Sequence, residues 1–127
     1  LASMVKQGSG TLLFMTSAAA YETPFAMPGE GGWGSAYTVS KGGFHRLAVQ
    51  LGYEYGNDGI TSLNLQPGLV ATERVTIVRG PVENVASLGV EPNVIGEVVA
   101  HIASDVGNYI SGETIQLQDV AREIGLL

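Results

Sequence analysis

A tyrosine and a lysine stand four residues apart in the segment SAYTVSKGGF, residues 35–44. In a helix, which rises ~1.5 Å per residue, Tyr37 and Lys41 lie one turn apart on the same face. A free tyrosine has a pKa near ~10, and an ammonium held close favours the phenolate and lowers such a pKa. The pair can then exchange a proton with a substrate oxygen. On spacing alone, however, a solvated surface pair is the commoner interpretation.

A hydroxyl that positions the substrate oxygen would complete such a site. Ser17 is the candidate, because it ends the apolar run TLLFMTS (11–17) and open α/β sheets bind ligands at the carboxyl ends of strands. Taken by itself, Ser17 is more often a turn serine. Ser35 is the alternative hydroxyl, at the start of the helix that carries Tyr37.

Three strands and two long helices must position these residues. The run 11–17 predicts a strand buried on both faces, and 60–65 and 113–118 predict two further strands. A helix is predicted over 35–55, with Ser35 as its N-cap, and another from Pro92, which suits a first helical turn. The alternation of strands and helices predicts parallel strands with right-handed connections. Residues 69–91 have no clean periodicity, and the tail from Asp119 is short and ambiguous.

The predicted helix 35–55 carries apolar residues at helical spacing, and these predict its buried face. They are Val39, Leu47, Leu51 and Tyr55, with Phe44 and Ala48 beside them. Gly42 and Gly43 each destabilise a helix by ~1 kcal/mol relative to alanine. We therefore expect another part of the chain to pack close to the backbone there.

Composition limits the function classes. The chain has 127 residues, 45% of them hydrophobic, and no cysteine, which excludes disulfides and thiolate chemistry and is compatible with the cytoplasm. The net charge of -6 and the scattered basic residues argue against a nucleic-acid partner. No apolar run approaches the ~20 residues that cross a membrane.

Two further patterns are weak. The segment GEGGWG (29–34) satisfies G-x-G-x-x-G, but the preceding strand ends about a dozen residues earlier, whereas the dinucleotide motif turns straight off its strand. A flexible loop on the substrate side is the better interpretation. His45 and His101 have no carboxylate at a metal-ligand spacing; we expect His45 on the helix surface or in a subunit contact, and His101 on the polar edge of its helix. No metal is predicted.

Several segments together resemble the second half of a short-chain dehydrogenase/reductase. In order, they are a strand ending in Ser17, the box Tyr37-x-x-Ser40-Lys41 followed by a helix, a strand ending in PGLVAT (67–72), and the segment SDVGNYISGETIQLQD (104–119). The resemblance covers nearly all of the chain from Gly8 to Asp119 and implies an α/β fold. That fold is a Rossmann-like doubly wound parallel sheet, of which this chain is the C-terminal portion in one domain, 1–127.

The resemblance implies a role for each matching residue. Tyr37 would be the general acid–base, Lys41 would lower its pKa and hold the nicotinamide ribose, and Ser17 would bind the substrate oxygen. The cofactor, NAD or NADP, would also contact Pro67, Gly68, Val70 and Thr72. Ala18 and Trp33 would line the substrate site, with Tyr21 as a further wall residue, and other lining residues would come from 18–34 and 73–91.

The expected activity is the interconversion of an alcohol and a ketone or aldehyde by hydride transfer, on a small-molecule substrate, by a homodimer or homotetramer in the cytoplasm. The chain departs from the family in two ways. The glycine-rich first half and the upstream catalytic asparagine have no counterpart, and the interval from Ser17 to Tyr37 is longer than usual, as if ETPFAMPGEGGWG (22–34) were inserted. An inactive fragment that only dimerises or binds a partner, and an isomerase or dehydratase using the same Tyr-Lys pair, remain as alternatives.

Overall fold

The computed structural model describes residues 1–73, 75 and 89–127. Its helices are α1 (Ala2–Gln7), α2 (Ser35–Tyr55), α3 (Pro92–Ser104) and α4 (Leu117–Glu123). Its strands are β1 (Gly10–Met15), β2 (Ile60–Gln66) and β3 (Thr114–Gln116). Short 3-10 helices follow at Ala18–Ala20, Gly56–Asp58 and Val106–Asn108. The substrate-lining residues predicted at 74 and 76–88 lie outside the described residues.

The three strands form one parallel sheet in the order β1-β2-β3, which confirms the predicted strand direction and the α/β fold class. The strand β1 is not buried on both faces as predicted. It lies at an edge of this sheet, so its residues are half-buried and Met15 is exposed. The central strand β2 has that position instead, because it is paired on both sides and covered on both faces.

The two faces of β2 differ in chemistry. Leu63 and Leu65 face the hydrophobic core that α3 and α4 complete. On the other face, the Ser62 hydroxyl donates to the Ala48 carbonyl at 2.8 Å, and the Asn64 amide donates to the His45 carbonyl at 3.1 Å. Both acceptors belong to α2, so buried polar side chains fix that helix against the sheet.

The predicted apolar face of α2 is only partly buried, with Leu51 and Tyr55 half-buried. Val39 is 75% exposed and Leu47 is 46% exposed, whereas Ala48 is fully buried. The helix turns its small residues inward because the polar face of β2 requires a close approach of the two backbones. At Gly52, an added Cβ would lie 2.7 Å from the Ser111 hydroxyl oxygen.

The glycine pair of α2 matches its prediction at one position. An added Cβ at Gly42 would lie 3.6 Å from the Ala20 carbonyl oxygen, so the turn after β1 does pack close to the helix there. The described residues leave the space beside Gly43 open. The helix has its predicted bounds, 35–55, but its N-cap is Gly34 rather than Ser35, which is the first helical residue.

The third strand is shorter than the predicted 113–118. It ends at Gln116, and Leu117 begins α4, which occupies the tail that the sequence leaves ambiguous. Burial of Leu117, Val120 and Ala121 against the core explains why the chain turns helical at this point. Among the described helices, none is both long and apolar enough to cross a membrane.

Candidate active site

The carboxyl ends of the three strands lie along one edge of the sheet, and α2 reaches that edge through Lys41. The Lys41 ammonium donates a hydrogen bond to the Met15 carbonyl, at 2.9 Å. Met15 is the last residue of β1 and lies two residues before Ser17. This hydrogen bond joins the helix that carries Tyr37 to the end of β1, two residues before Ser17.

Tyr37 lies in the first turn of α2, where its side chain is 45% exposed. The Lys41 ammonium nitrogen lies 6.0 Å from the centre of the Tyr37 ring and 5.7 Å from that of the Phe44 ring. Since Met15 also holds that ammonium, the cation has a defined position beside the phenol. The phenol itself is accessible to a ligand.

Ser17 caps the 3-10 helix Ala18–Ala20. Its hydroxyl oxygen accepts a hydrogen bond from the Ala19 amide at 3.3 Å, which leaves the hydroxyl hydrogen available for a ligand. Ala18 is half-buried in the same turn. The turn packs on α2 beside Gly42, so Ser17 and Lys41 share one side of the sheet edge.

The segment after β2 forms a second wall at the same edge. Gly68 has a φ of +70°, a conformation that favours glycine, and an added Cβ there would collide with the Gln118 side chain. The Gln118 amide also donates to the Pro67 carbonyl at 3.0 Å. Val70 forms an isolated parallel bridge with Val90, and the Thr72 amide donates back to the Val70 carbonyl at 2.8 Å. The Gln118 bonds hold this segment to the start of α4, and the Val70 bridge holds it to Val90, just before α3.

The segment before α2 contains a hydrogen-bonded turn. The Met27 carbonyl accepts from the amides of Glu30 and Gly32, at 3.0 and 3.2 Å. Among the described residues, the ring contact of Trp33 is with Phe25, at 5.2 Å between centres. The structure therefore places the Trp33 ring against Phe25 of its own loop, and its substrate-lining role stays a prediction.

His45 does not lie on the open surface of α2, which was one of the two positions predicted for it. It is half-buried rather than a surface residue, and its Nδ1 lies 2.9 Å from the hydroxyl oxygen of buried Thr16. The Tyr21 ring lies 5.0 Å from the imidazole, between ring centres. Burial lowers the pKa of His45 below its ordinary value of 6.5, so the ring is neutral at neutral pH.

The sequence did contain a signal for His45. It follows Lys41 by four residues, just as Lys41 follows Tyr37, so all three share one face of α2. His101, in contrast, lies exposed on α3 as predicted. The described residues contain no cluster of histidines and carboxylates suited to a metal ion.

Sequence comparison identifies the family. The family model described as enoyl-(acyl carrier protein) reductase matches residues 1–118. The chain belongs to the short-chain dehydrogenase/reductase family. Similar curated proteins include a tropinone reductase homologue of Arabidopsis thaliana, 29% identical over 119 residues, and dehydrogenase/reductase SDR family member 4 of Caenorhabditis elegans, 29% identical over 124 residues.

Solved structures of short-chain dehydrogenases share the fold. A putative NAD(P)-dependent gluconate 5-dehydrogenase from Beutenbergia cavernae, solved with NADP, matches 91% of this chain with a TM-score of 0.74 and 22% identity. A 7α-hydroxysteroid dehydrogenase solved with NADH matches 89% of the chain with a TM-score of 0.71 and 22% identity. These similarities confirm the Rossmann-like fold class.

The two curated relatives extend well beyond this chain. The matches cover 85% and 88% of the chain, but only 41% and 45% of the lengths of the Arabidopsis and Caenorhabditis proteins. The structural matches cover 47% of the gluconate 5-dehydrogenase chain and 44% of the hydroxysteroid dehydrogenase chain. The chain thus spans less than half the length of these short-chain dehydrogenase relatives.

Proposed function

We propose that the protein is an NAD(P)-dependent oxidoreductase that interconverts an alcohol and a ketone or aldehyde. In this proposal Tyr37 is the acid–base group, Lys41 is the cation beside it, and Ser17 binds the substrate oxygen. The observation that carries the proposal is the bond from the Lys41 ammonium to the Met15 carbonyl. It connects the phenol's helix to the strand end that precedes the serine.

The residues at the sheet edge fit a nicotinamide cofactor. One hydrogen of the Lys41 ammonium is used on Met15, so two remain for the hydroxyls of a ribose. The Val70 amide hydrogen has no acceptor among the residues that the structure describes, and it suits a carboxamide oxygen. The bend at Gly68 brings the backbone of this segment to the edge without a side chain. The solved relatives with NADP and NADH support this assignment.

The chain's own residues would bind and orient the substrate and move one proton. When bound, the cofactor supplies or accepts the hydride. The Ser17 hydroxyl donates to the substrate oxygen and fixes its orientation. Tyr37 gives a proton to that oxygen during reduction and takes it back during oxidation.

A Tyr37→Phe substitution tests the acid–base assignment. It removes the phenolic oxygen and keeps the ring, so we expect turnover to fall by about 10²- to 10⁴-fold with little change in fold. The measurement is the absorbance of reduced nicotinamide, with the complete gene product and a panel of ketones. Tyr53→Phe is the matched control, since Tyr53 lies on the same helix and is 90% exposed. Normal turnover in Tyr37→Phe would show that Tyr37 is not the acid–base group.

A second candidate function is a binding module without catalysis, in which α2 serves only to dimerise. The exposed apolar side chains of α2 favour it, namely those of Val39, Leu47 and Tyr53. The same face is compatible with an enzyme that forms a homodimer or homotetramer, which is our proposal for its assembly. Absence of cofactor-dependent turnover with every ketone and alcohol tested, in a protein that still dimerises, would favour the binding module.

A further inference from the structure

A polar cleft opens where β2 and β3 end. Gln66 and Gln116 are register partners, so their side chains lie next to each other at the carboxyl ends of the two strands. The first turns of α4 complete the cleft, which has a volume of about 170 Å³. It is lined by Gln66, Gly68, Gln116, Gln118, Asp119 and Arg122, and we call it the glutamine cleft.

Each glutamine is held by one end of its amide. The Gln66 oxygen accepts from the Gly68 amide at 2.8 Å, the Gln116 nitrogen donates to the Tyr21 hydroxyl at 3.4 Å, and the Gln118 nitrogen donates to backbone carbonyls. Within the described part of the chain, nothing pairs with the Gln66 nitrogen or with the Gln116 and Gln118 oxygens. The cleft therefore offers a ligand one amide donor and two amide acceptors.

The two charged residues of the cleft neutralise each other. The Arg122 guanidinium bonds the Asp119 carboxylate at 2.6 Å. An anionic ligand would find no unpaired cation among the described lining residues, and it would face the two amide oxygens. A hydroxyl group both donates and accepts, so neighbouring hydroxyls match this set of amides.

The size and location of the cleft suit one end of a larger ligand. Its volume of about 170 Å³ is below the ~300–1,000 Å³ of pockets that enclose a drug-sized molecule. Tyr21 connects it to the candidate active site, because the Tyr21 ring packs on His45 and His45 bonds Thr16, which precedes Ser17. A ligand end in the cleft would leave the remainder near the end of β1.

We propose that the glutamine cleft is a subsite for an uncharged, polyhydroxylated group. The identification of its occupant as one end of the substrate rests on the proposed oxidoreductase function. The binding of a polyhydroxylated group is independent of that function, because it depends only on the amides of the cleft. The subsite would make the enzyme select carbonyl compounds that carry neighbouring hydroxyls over equally long aliphatic or anionic ones.

Ligand-observed saturation-transfer NMR tests this binding without any turnover. The probes are xylitol, pentane-1,5-diol and glutarate, which share five carbons but differ in hydroxyl content and charge. We expect xylitol to bind most tightly. Gln66→Glu keeps the acceptor for the Gly68 amide but removes the free donor, and it should weaken xylitol binding by about five- to ten-fold. Gln7→Glu, on an exposed helix end, is the matched control.

The binding measurements can contradict the proposed subsite in several ways. Tighter binding of glutarate or pentane-1,5-diol than of xylitol, or no transfer to xylitol at all, would overturn the proposal. If the circular dichroism spectrum shows that Gln66→Glu is unfolded, Gln116→Leu is used as the test variant instead. Gln116 is exposed, and its replacement removes one amide acceptor from the cleft. Unchanged xylitol binding in the folded variant would also overturn the subsite. Failure of the oxidoreductase proposal is seen separately, in the cofactor assay with Tyr37→Phe.

Discussion

At the scale of single residues, the molecule concentrates polar contacts around the end of β1. The Met15 carbonyl holds the Lys41 ammonium, the Thr16 hydroxyl meets His45, and the Ser17 hydroxyl caps the following turn. Three consecutive residues thus form hydrogen bonds to three different residues, namely Lys41, His45 and Ala19. Because Thr16 is buried, its hydroxyl needs a partner inside the protein, and His45 supplies it.

The neutral state of His45 predicts an acid-sensitive stability. Burial lowers its pKa in the folded state, so the unfolded chain, with an ordinary value of 6.5, binds the proton more readily. The contribution of His45 to the free energy of unfolding is therefore fully present above pH 6.5. It is lost as the pH falls from there through the lower folded pKa. We expect the denaturation midpoint to fall more steeply below pH 6.5 in the native protein than in His45→Gln.

His101→Gln provides the control for this titration, because His101 is exposed on α3. It should retain the pH dependence of the native protein. An identical pH dependence in native protein and His45→Gln, measured by urea unfolding at several pH values, would contradict the assignment of the acid sensitivity to His45.

At the scale of elements, the contact of α2 with the sheet depends on small residues and on hydrogen bonds. The Ser111 hydroxyl accepts from the Ser62 amide at 3.0 Å, directly beside Gly52. Ser62 is fully buried and also bonds Ala48 of α2. Ser111 is therefore held in place, because moving it would leave a buried amide unpaired.

Gly52→Ala tests how close that contact is. The added Cβ would lie 2.7 Å from the Ser111 hydroxyl oxygen and 3.2 Å from the Gly112 nitrogen. We expect the free energy of unfolding to fall by about 1–3 kcal/mol, despite the better helix propensity of alanine. Chemical denaturation measures it. Gly96→Ala, on α3 with no described atom within 4 Å of the added Cβ, should instead gain up to about 1 kcal/mol. Equal effects would show that Gly52 is not a close-contact position.

At the scale of the whole molecule, α2 has an apolar side that the described chain leaves uncovered. Val39, Leu47 and Tyr53 are 75%, 46% and 90% exposed on one helix. Large exposed apolar surfaces commonly mark protein–protein contacts. Together with family membership, this supports assembly through α2 in the proposed homodimer or homotetramer.

Leu47→Glu tests that assembly. A carboxylate in the interface would lose its hydration, so we expect the oligomer to dissociate while circular dichroism stays unchanged. Analytical ultracentrifugation measures the mass. Ile110→Glu is the control, because Ile110 is 77% exposed but lies outside α2, and it should leave the mass unchanged. A monomeric native protein, or an unaltered mass in Leu47→Glu, would contradict assembly through α2.

The sequence by itself determined the strand and helix order, the parallel sheet and the family, because these depend on local periodicity and on ordered motifs such as Tyr37-x-x-Ser40-Lys41. Tertiary structure alone decided which side of α2 is buried. Apolar periodicity favoured Val39 and Leu47 as well as Ala48, but the sheet face opposite is polar, so the small residues Ala48 and Gly52 meet it, and Val39 and Leu47 stay exposed. The same packing placed His45 on Thr16 and aligned Gln66 with Gln116. Such pairings join residues far apart along the chain, and their register arises only when the strands come together.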